Sequence, residues 1–446
     1  MTTSFRAVRG LALAFVTAVS AVAAQAQYKP LQFKEYDLAN GLHVILHEDH
    51  SAPVVSTVLH YRVGSRDEDP RRTGFAHFFE HLMFEATDKI ERGSIDKMIN
   101  GAGGELNAFT SQDQTVYHFD VPSNQVRLAL WIEAQRMRKL HVNDIGVETQ
   151  RGVVKEERKN RYDNAPYGGW MEKMFATLFA GTSYSWAPIG APEHINNATI
   201  AEFKAFYDQY YQPNNAVLVV SGDFDEATVR ETIQSYFGGY PKAPEPKRPA
   251  VSGLQSMNGE VRETINDAKA QLPAIFIGYR GVGMKEDDAY ATELLSTIMS
   301  QGESSRLYRA VVDSEQVAVQ VSLGNLARDN GGMAYIVGIA GPGKDIGAVE
   351  KSIDRELQRV IANGVSDEDL SKAKNITEAQ FIGQRVGVHD KALALADYYR
   401  FYGDTKLINE ELAKYLKVTK ADIQRVAKRI FDTKNRTVIT YLPVKG

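Results

Sequence analysis

The sequence predicts an α+β protein built from two homologous halves. Three observations predict it. Segments of strand and helix character are mixed along the chain, a Pro-rich stretch divides it near the middle, and one helix–turn–strand unit recurs at a fixed offset.

Residues 42–46 and 54–63 read as strands because β-branched residues partly alternate there, and 115–121 alternates in the same way. Residues 74–84 carry an apolar helical face, 143–161 reads as a long helix, and 199–211 reads as a helix leading into a strand at 216–221. The stretch 241–259 holds Pro241, Pro244, Pro246 and Pro249 with little apolar content, which is linker composition. At an offset of 220, Thr199 matches Thr419, Glu202 matches Asp422, Phe203 matches Ile423, Tyr211 matches Phe431 and Asn215 matches Asn435. The same unit therefore closes each half, as a diverged repeat would.

The first residues stand apart from this pattern. Arg6 and Arg9 precede a short apolar stretch, 11–24, and Ala24-Gln25-Ala26 has the small-x-small form of a signal-peptidase site. The chain is thus expected to divide into a signal peptide (1–26), a first half (27–240), a linker (241–259) and a second half (260–446). Secretion follows, and the apolar stretch is short for a bilayer span. Removing Arg6 and Arg9 takes the formal charge from -4 to -6. With 43% hydrophobic and 24% charged residues, no run of one sign and no other long apolar stretch, nothing points to nucleic acid or a membrane as partner. Cysteine is absent, so any metal is held by His, Asp or Glu.

His77-Phe78-Phe79-Glu80-His81 reads H-x-x-E-H. On a helix the two imidazoles lie one turn apart on one face, where they can share a metal, and Glu80 lies beside them. A carboxylate in that place can take a proton from water that zinc has acidified. This is the inverted form of the H-E-x-x-H zinc motif. The third ligand must come from elsewhere, and the 143–161 helix offers Glu156 and Glu157, which point about 100° apart. Glu157 falls on an apolar stripe with Val153, Val154 and Gln150, whereas Glu156 falls toward the edge with Gly152 and Thr149. A buried carboxylate needs a partner or a metal, so Glu157 is the expected third ligand of one zinc per chain.

These residues resemble peptidase family M16, in its bacterial branch of single-chain length. His77 to Phe84 is similar to the family's zinc helix, Arg151 to Glu157 with Tyr162-Asp163-Asn164 to its second ligand helix, and Gly103 to Thr110 to its substrate strand. His81 and Glu157 stand 76 residues apart, within the family's range. The resemblance covers essentially the whole chain beyond the signal peptide. It implies two homologous halves, each of two related α+β units, closing as a clamshell around a chamber. It also implies that Asn107 and Ala108 lie on a free strand edge that receives an extended peptide, and that the protein works in the bacterial periplasm.

Two departures from the family pattern stand out. A Glu is usual seven residues before the ligand Glu, and this chain has Gln150, which can still hydrogen-bond a ligand or substrate without bringing charge. Relatives carry a substrate-contacting Arg and Tyr in the second half, and alignment on Ser305-Arg306-Leu307 puts Val312 and Val319 in those positions. The second half also has one histidine, His389, and no H-x-x-E-H. In this branch, zinc-bearing chains pair with a similar chain that lacks zinc ligands and carries the Arg/Tyr pair. The resemblance thus implies a heterodimer here, or a homodimer without that partner. A non-catalytic binding subunit and a dedicated precursor-processing peptidase are the alternatives. The remaining histidines, among them His43, His47, His50 and His118, read as structural. The glycines at 101–104 lack the Lys-Ser/Thr of a phosphate loop.

Overall fold

The computed structural model describes residues 30–249, 257 and 259–444. The expected signal peptide lies outside the described residues, as do 250–256 and 258 of the linker. Residues 241–249 form neither helix nor strand.

In the first half, β1 (Lys34–Asp37), β2 (His43–Glu48), β3 (Val54–Tyr61), β4 (Glu105–Thr110), β5 (Thr115–Pro122) and β6 (Ala216–Gly222) form one sheet in the order β1-β2-β6-β3-β5-β4. β2 and β6 run parallel and all other neighbours antiparallel. In the second half, β7 (Val261–Asp267), β8 (Ala274–Gly281), β9 (Ala318–Arg328), β10 (Gly331–Ala340) and β11 (Arg436–Pro443) form a sheet in the order β7-β11-β8-β10-β9. Here β7 and β11 run parallel and the rest antiparallel.

Leaving β1 aside, the two sheets share one strand order and one set of directions. The 220-residue repeat is thus a repeat of topology. It holds to the residue at the close of each half, where helices Ile200–Tyr210 and Lys420–Ile430 lead through one-turn helices Pro213–Asn215 and Thr433–Asn435 into β6 and β11. Thr199 and Thr419 cap these helices, and Glu202 and Asp422 return a bond to the cap backbone N–H.

The α+β class holds, but the number of units differs from the expectation. Each half is built on a single sheet, so the described chain contains one α+β unit per half, not two. A clamshell with two units on each side would take two chains of this kind.

Both faces of each sheet are covered, which is why β6 is buried along its whole length and reads as an unbroken apolar run. One face of the first sheet carries Val44, Leu59 and Leu218 beneath helices Phe75–Leu82 and Ile200–Tyr210. The other carries Ile45, Val58 and Val219 beneath Ala392, Leu395 and Ala396 of helix Val388–Asp397, which belongs to the second half. The exchange is mutual. Helix Trp170–Leu178 of the first half lays Met174, Phe175 and Leu178 over Phe276 and Ile439 of the second sheet. These two covering helices overlap at the same 220-residue offset. Gly278 on β8 permits the close approach, since a Cβ there would stand 2.6 Å from Met174 Sδ. Each half therefore supplies a layer of the other's core, and the chain from Leu31 onward behaves as one body.

Candidate metal centre

Helix Phe75–Leu82 starts from Gly74 at φ 95°, a left-handed conformation that glycine adopts without strain. The start is tight, because a Cβ on Gly74 would lie 2.9 Å from the Ile189 carbonyl oxygen. The buried Glu68 carboxylate accepts from the N–H groups of Gly74 and Ala76, both at 2.8 Å, and so satisfies free donors at the helix start. Burial pushes the Glu68 carboxyl up to about 8, against those bonds and one from Trp186. Phe75, Phe78, Phe79 and Leu82 face the core, where Phe75 and Phe78 stack on Phe203. With that face fixed inward, His77 is buried on the flank, and Glu80 and His81 are half-buried.

Helix Asp144–Arg158 packs alongside, capped by Asn143, whose side chain accepts from the Gly146 N–H at 3.0 Å. Its inward residues are Val147, Arg151 and Val154, and Glu157 follows three residues after Val154. Val153, expected on this stripe, is 44% exposed and faces outward. Glu157 is nevertheless the inward carboxylate, with 15% of its side chain exposed against 66% for Glu156. The inward stripe is made partly by Arg151, whose guanidinium donates to the Ile195 and Ala198 carbonyls, so counting apolar residues alone misplaces it.

The three expected ligands converge. Glu157 Oε2 lies 3.1 Å from His81 Nε2 and 3.4 Å from His77 Nε2. Tetrahedral zinc with ordinary bond lengths separates its donors by about 3.3 Å, so two imidazole nitrogens and one carboxylate oxygen at this spacing fit the ion. The contacts with both imidazoles hold the Glu157 carboxyl well below the usual carboxylate range. Its other oxygen, Oε1, accepts from Arg161 Nη1 at 2.8 Å. Arg161 was not singled out from the sequence, although its place four residues after Glu157, in the π-helical turn Lys159–Asp163, is a recognisable side-chain pairing.

Gln150 donates to Oε1 of the buried Glu85 at 2.7 Å, and Glu85 also accepts from Arg92 at 2.6 Å. The amide thus serves a carboxylate just beyond the histidine helix rather than one of the three ligands. A Glu in its place would set two carboxylates in contact. Asn107 and Ala108 lie on β4, the free edge strand of the first sheet. Ala108 packs against the cluster that holds Phe79 and Leu82, and its N–H donates to Asn107 Oδ1 at 2.9 Å. In the second half, Val312 packs against the core and Val319 is exposed on β9, with no polar group to offer in either place. Arg306 pairs with Glu356 at 2.6 Å and Asp369 at 3.1 Å.

His43 and His50 pair with carboxylates on their own sheet edge and loop, and His47 bonds the Gln32 carbonyl. His118 differs from its reading as a lone structural residue. It stands with Asp120 and His389 in a second group of three potential ligands, the donor atoms within 4.8 Å of one another.

Two models of one peptidase family match the chain. The one described as insulinase (peptidase family M16) spans residues 43–185, which include His77, Glu80, His81 and Glu157. The one described as the peptidase M16 inactive domain spans 197–377 and thus begins ahead of the Pro-rich linker. The zinc protease PqqE of Helicobacter pylori is 28% identical over 98% of both chains. A crystal structure of a protease from Helicobacter pylori, 28% identical, superposes with a TM-score of 0.88 over 93% of this chain and 100% of that one. The periplasmic protease PqqL from Escherichia coli is similar in fold, with a TM-score of 0.76 at 19% identity, over 93% of this chain and 48% of that one.

Proposed function

The chain belongs to peptidase family M16, and from that premise we propose that it is the zinc-bearing catalytic chain of a secreted metallopeptidase that cuts extended peptides. The observation that carries the reading is the meeting of His77, His81 and Glu157 at donor spacing, with Glu80 on the same helix.

The three ligands would hold one zinc ion. When bound, zinc supplies an acidified water and polarises the carbonyl to be cut. Glu80 takes the proton of the attacking water and returns it to the departing amine. Asn107 and Ala108 hold the substrate: an extended peptide adds to the free edge of β4 and replaces Asn107 Oδ1 as partner of the Ala108 N–H. Pairing through the main chain demands little of the substrate's side chains, which favours a broad range of peptides over a single precursor.

The proposal extends to a partner. This chain has two α+β units and matches about half of the Escherichia coli protein, so a second chain of similar build would complete the enclosure. Val312 and Val319 leave the Arg and Tyr for that partner to supply, which favours a heterodimer over a pair of identical chains. The small-x-small sequence ending at Ala26, and a similar fold described as periplasmic, support export to the periplasm. Among the described residues no helix is long and apolar enough to cross a membrane.

The reading is tested by the zinc content of the purified chain, wild type beside His81→Ala, and by cleavage of a library of unrelated peptides with and without a co-expressed homologue. The substitution should remove one zinc per chain, and cleavage should depend on both that zinc and the homologue. A wild-type chain that takes up no more zinc than the mutant would make it a binding subunit. Cleavage of one peptide alone would make it a dedicated processing enzyme.

A further inference from the structure

The second histidine group lies on the opposite face of the first sheet from the histidine helix. His118 and Asp120, two residues apart on β5, project to the side that carries Val58 and Val116. That side is covered by helix Val388–Asp397 of the second half, whose first turn brings His389 over them. We propose that His118, Asp120 and His389 form a second divalent-cation site, suited to zinc, that pins this covering helix to the first sheet.

The geometry parallels the first centre. Asp120 Oδ2 lies 3.1 Å from His389 Nδ1 and 3.7 Å from His118 Nδ1, on either side of the roughly 3.3 Å that tetrahedral zinc sets between donors. The imidazole rings meet edge to face, with centroids 4.3 Å apart, so neither blocks the other's approach to a shared ion. Two nitrogens and one carboxylate suit zinc and its neighbours in the first transition row, rather than calcium or magnesium, which prefer oxygen.

A second observation points the same way. His118 Nδ1 is buried and has no hydrogen-bond partner. In an ordinary Asp–His pair, Asp120 and His389 satisfy each other, with Ser56 Oγ 3.5 Å from His389 Nδ1. His118 Nδ1 is then left with the Asp120 carboxylate at 3.7 Å, beyond hydrogen-bond reach, at a cost in stability. An ion among the three satisfies all of them. Lys391, two residues after His389 on the same helix, is held by Asp49. The group is partly open, with 30% of the His389 side chain and 34% of Asp120 exposed, so an ion can enter and a water can take the fourth position.

The consequence is structural. His389 and Asp120 are 269 residues apart in sequence, and joining them ties the two halves together at the layer each lends the other. Such a bond stabilises the folded chain by mass action, rising with the logarithm of free zinc above its dissociation constant.

The test uses a background in which the first centre is disabled. Full-length mature His81→Ala protein is dialysed against micromolar zinc, and bound metal and melting temperature are measured. His81→Ala should retain close to one zinc per chain and melt higher with zinc than without. His81→Ala/His389→Ala should retain almost none and lose the zinc-dependent rise, and Asp120→Asn in place of His389→Ala should do the same if the first double variant does not fold. A folded His81→Ala chain that binds no zinc would overturn the proposal, as would a double variant that binds as much as its parent. Failure of the first centre reads differently, because wild type and His81→Ala would then bind alike.

Discussion

Arg161 Nη1 lies 2.8 Å from Glu157 Oε1, one helical turn further along the chain. The guanidinium takes one carboxylate oxygen and leaves Oε2 to face His77 and His81, so it sets which oxygen is presented to a metal. Partners of this kind commonly change metal affinity by about tenfold or more when removed. Because 73% of the Arg161 side chain is exposed, the lower end of that range applies. Arg161→Ala should weaken zinc binding by about tenfold with little change in melting temperature, as read by competition with a chelator. Unchanged affinity would make the pair incidental.

Glu80 separates binding from turnover. It belongs to the histidine helix but is not one of the three donors at 3.1–3.4 Å, so Glu80→Gln should leave zinc content unchanged. Loss of a general base reduces rate by about a hundred- to ten-thousandfold, and kcat should fall by that much while KM stays near its wild-type value. Loss of zinc from Glu80→Gln would instead make Glu80 part of the ligand set.

The site was legible where it depends on local geometry. H-x-x-E-H declares itself because helical spacing alone puts both imidazoles on one flank. Glu157 rather than Glu156 turns toward the histidines because it follows Val154 on the inward stripe, even though Val153, used to place that face, points outward. Arg151 takes an inward position because the Ile195 and Ala198 carbonyls receive its charge, and no apolar pattern announces that. The repeat was legible as polar and apolar positions matched at an offset of 220, but the number of sheets per half was not, since strand pairing over long separations leaves no local mark. His118 and His389 were read separately because only the exchange of covering helices between halves brings them together.

The capping boxes at Thr199 and Thr419 carry a matched pair of predictions. Each threonine Oγ1 accepts from the backbone N–H three residues on, at 3.2 Å in both cases. Thr199→Val and Thr419→Val should each cost about 1 kcal/mol, measured by denaturant unfolding. The second box adds a dependence on pH. Bonds from Thr419 and Arg425 hold the Asp422 carboxyl down to about 2, below its ordinary value. A depressed acid contributes stability that is complete above its unfolded value and fades as pH falls through its folded one. The stability gap between wild type and Asp422→Asn should therefore be constant near neutrality and narrow from about pH 4 down toward pH 2. A gap that widened on acidification would place the effect elsewhere.

A charged cluster at the junction of the halves makes the final prediction. Arg66 of the first half bridges Asp113 at 2.8 Å and Asp329 of the second at 3.0 Å. Lys285 adds a contact to Asp329 at 2.6 Å, and Arg400 donates to the Asp113 carbonyl at 2.8 Å. Arg66, Asp113 and Asp329 are almost wholly removed from water, so Arg66 and Asp113 depend on each other for compensation, while Asp329 also has Lys285. Removing one partner of a buried pair strands the rest at a cost of about 3–5 kcal/mol, whereas the net worth of the intact pair is far smaller. Arg66→Ala should accordingly destabilise the whole chain by several kcal/mol, and both sheets should unfold in one transition because each half lends a helix to the other. Arg66→Met, which fills the same space without charge, should be nearly as harmful, because Asp113 still loses its counter-charge, while Asp329 keeps Lys285. The two variants are compared by calorimetry and by hydrogen exchange of β3 and β8. A mutant in which β8 opens while β3 remains protected would show that the halves hold their folds independently and that the exchanged helices contribute little to joining them.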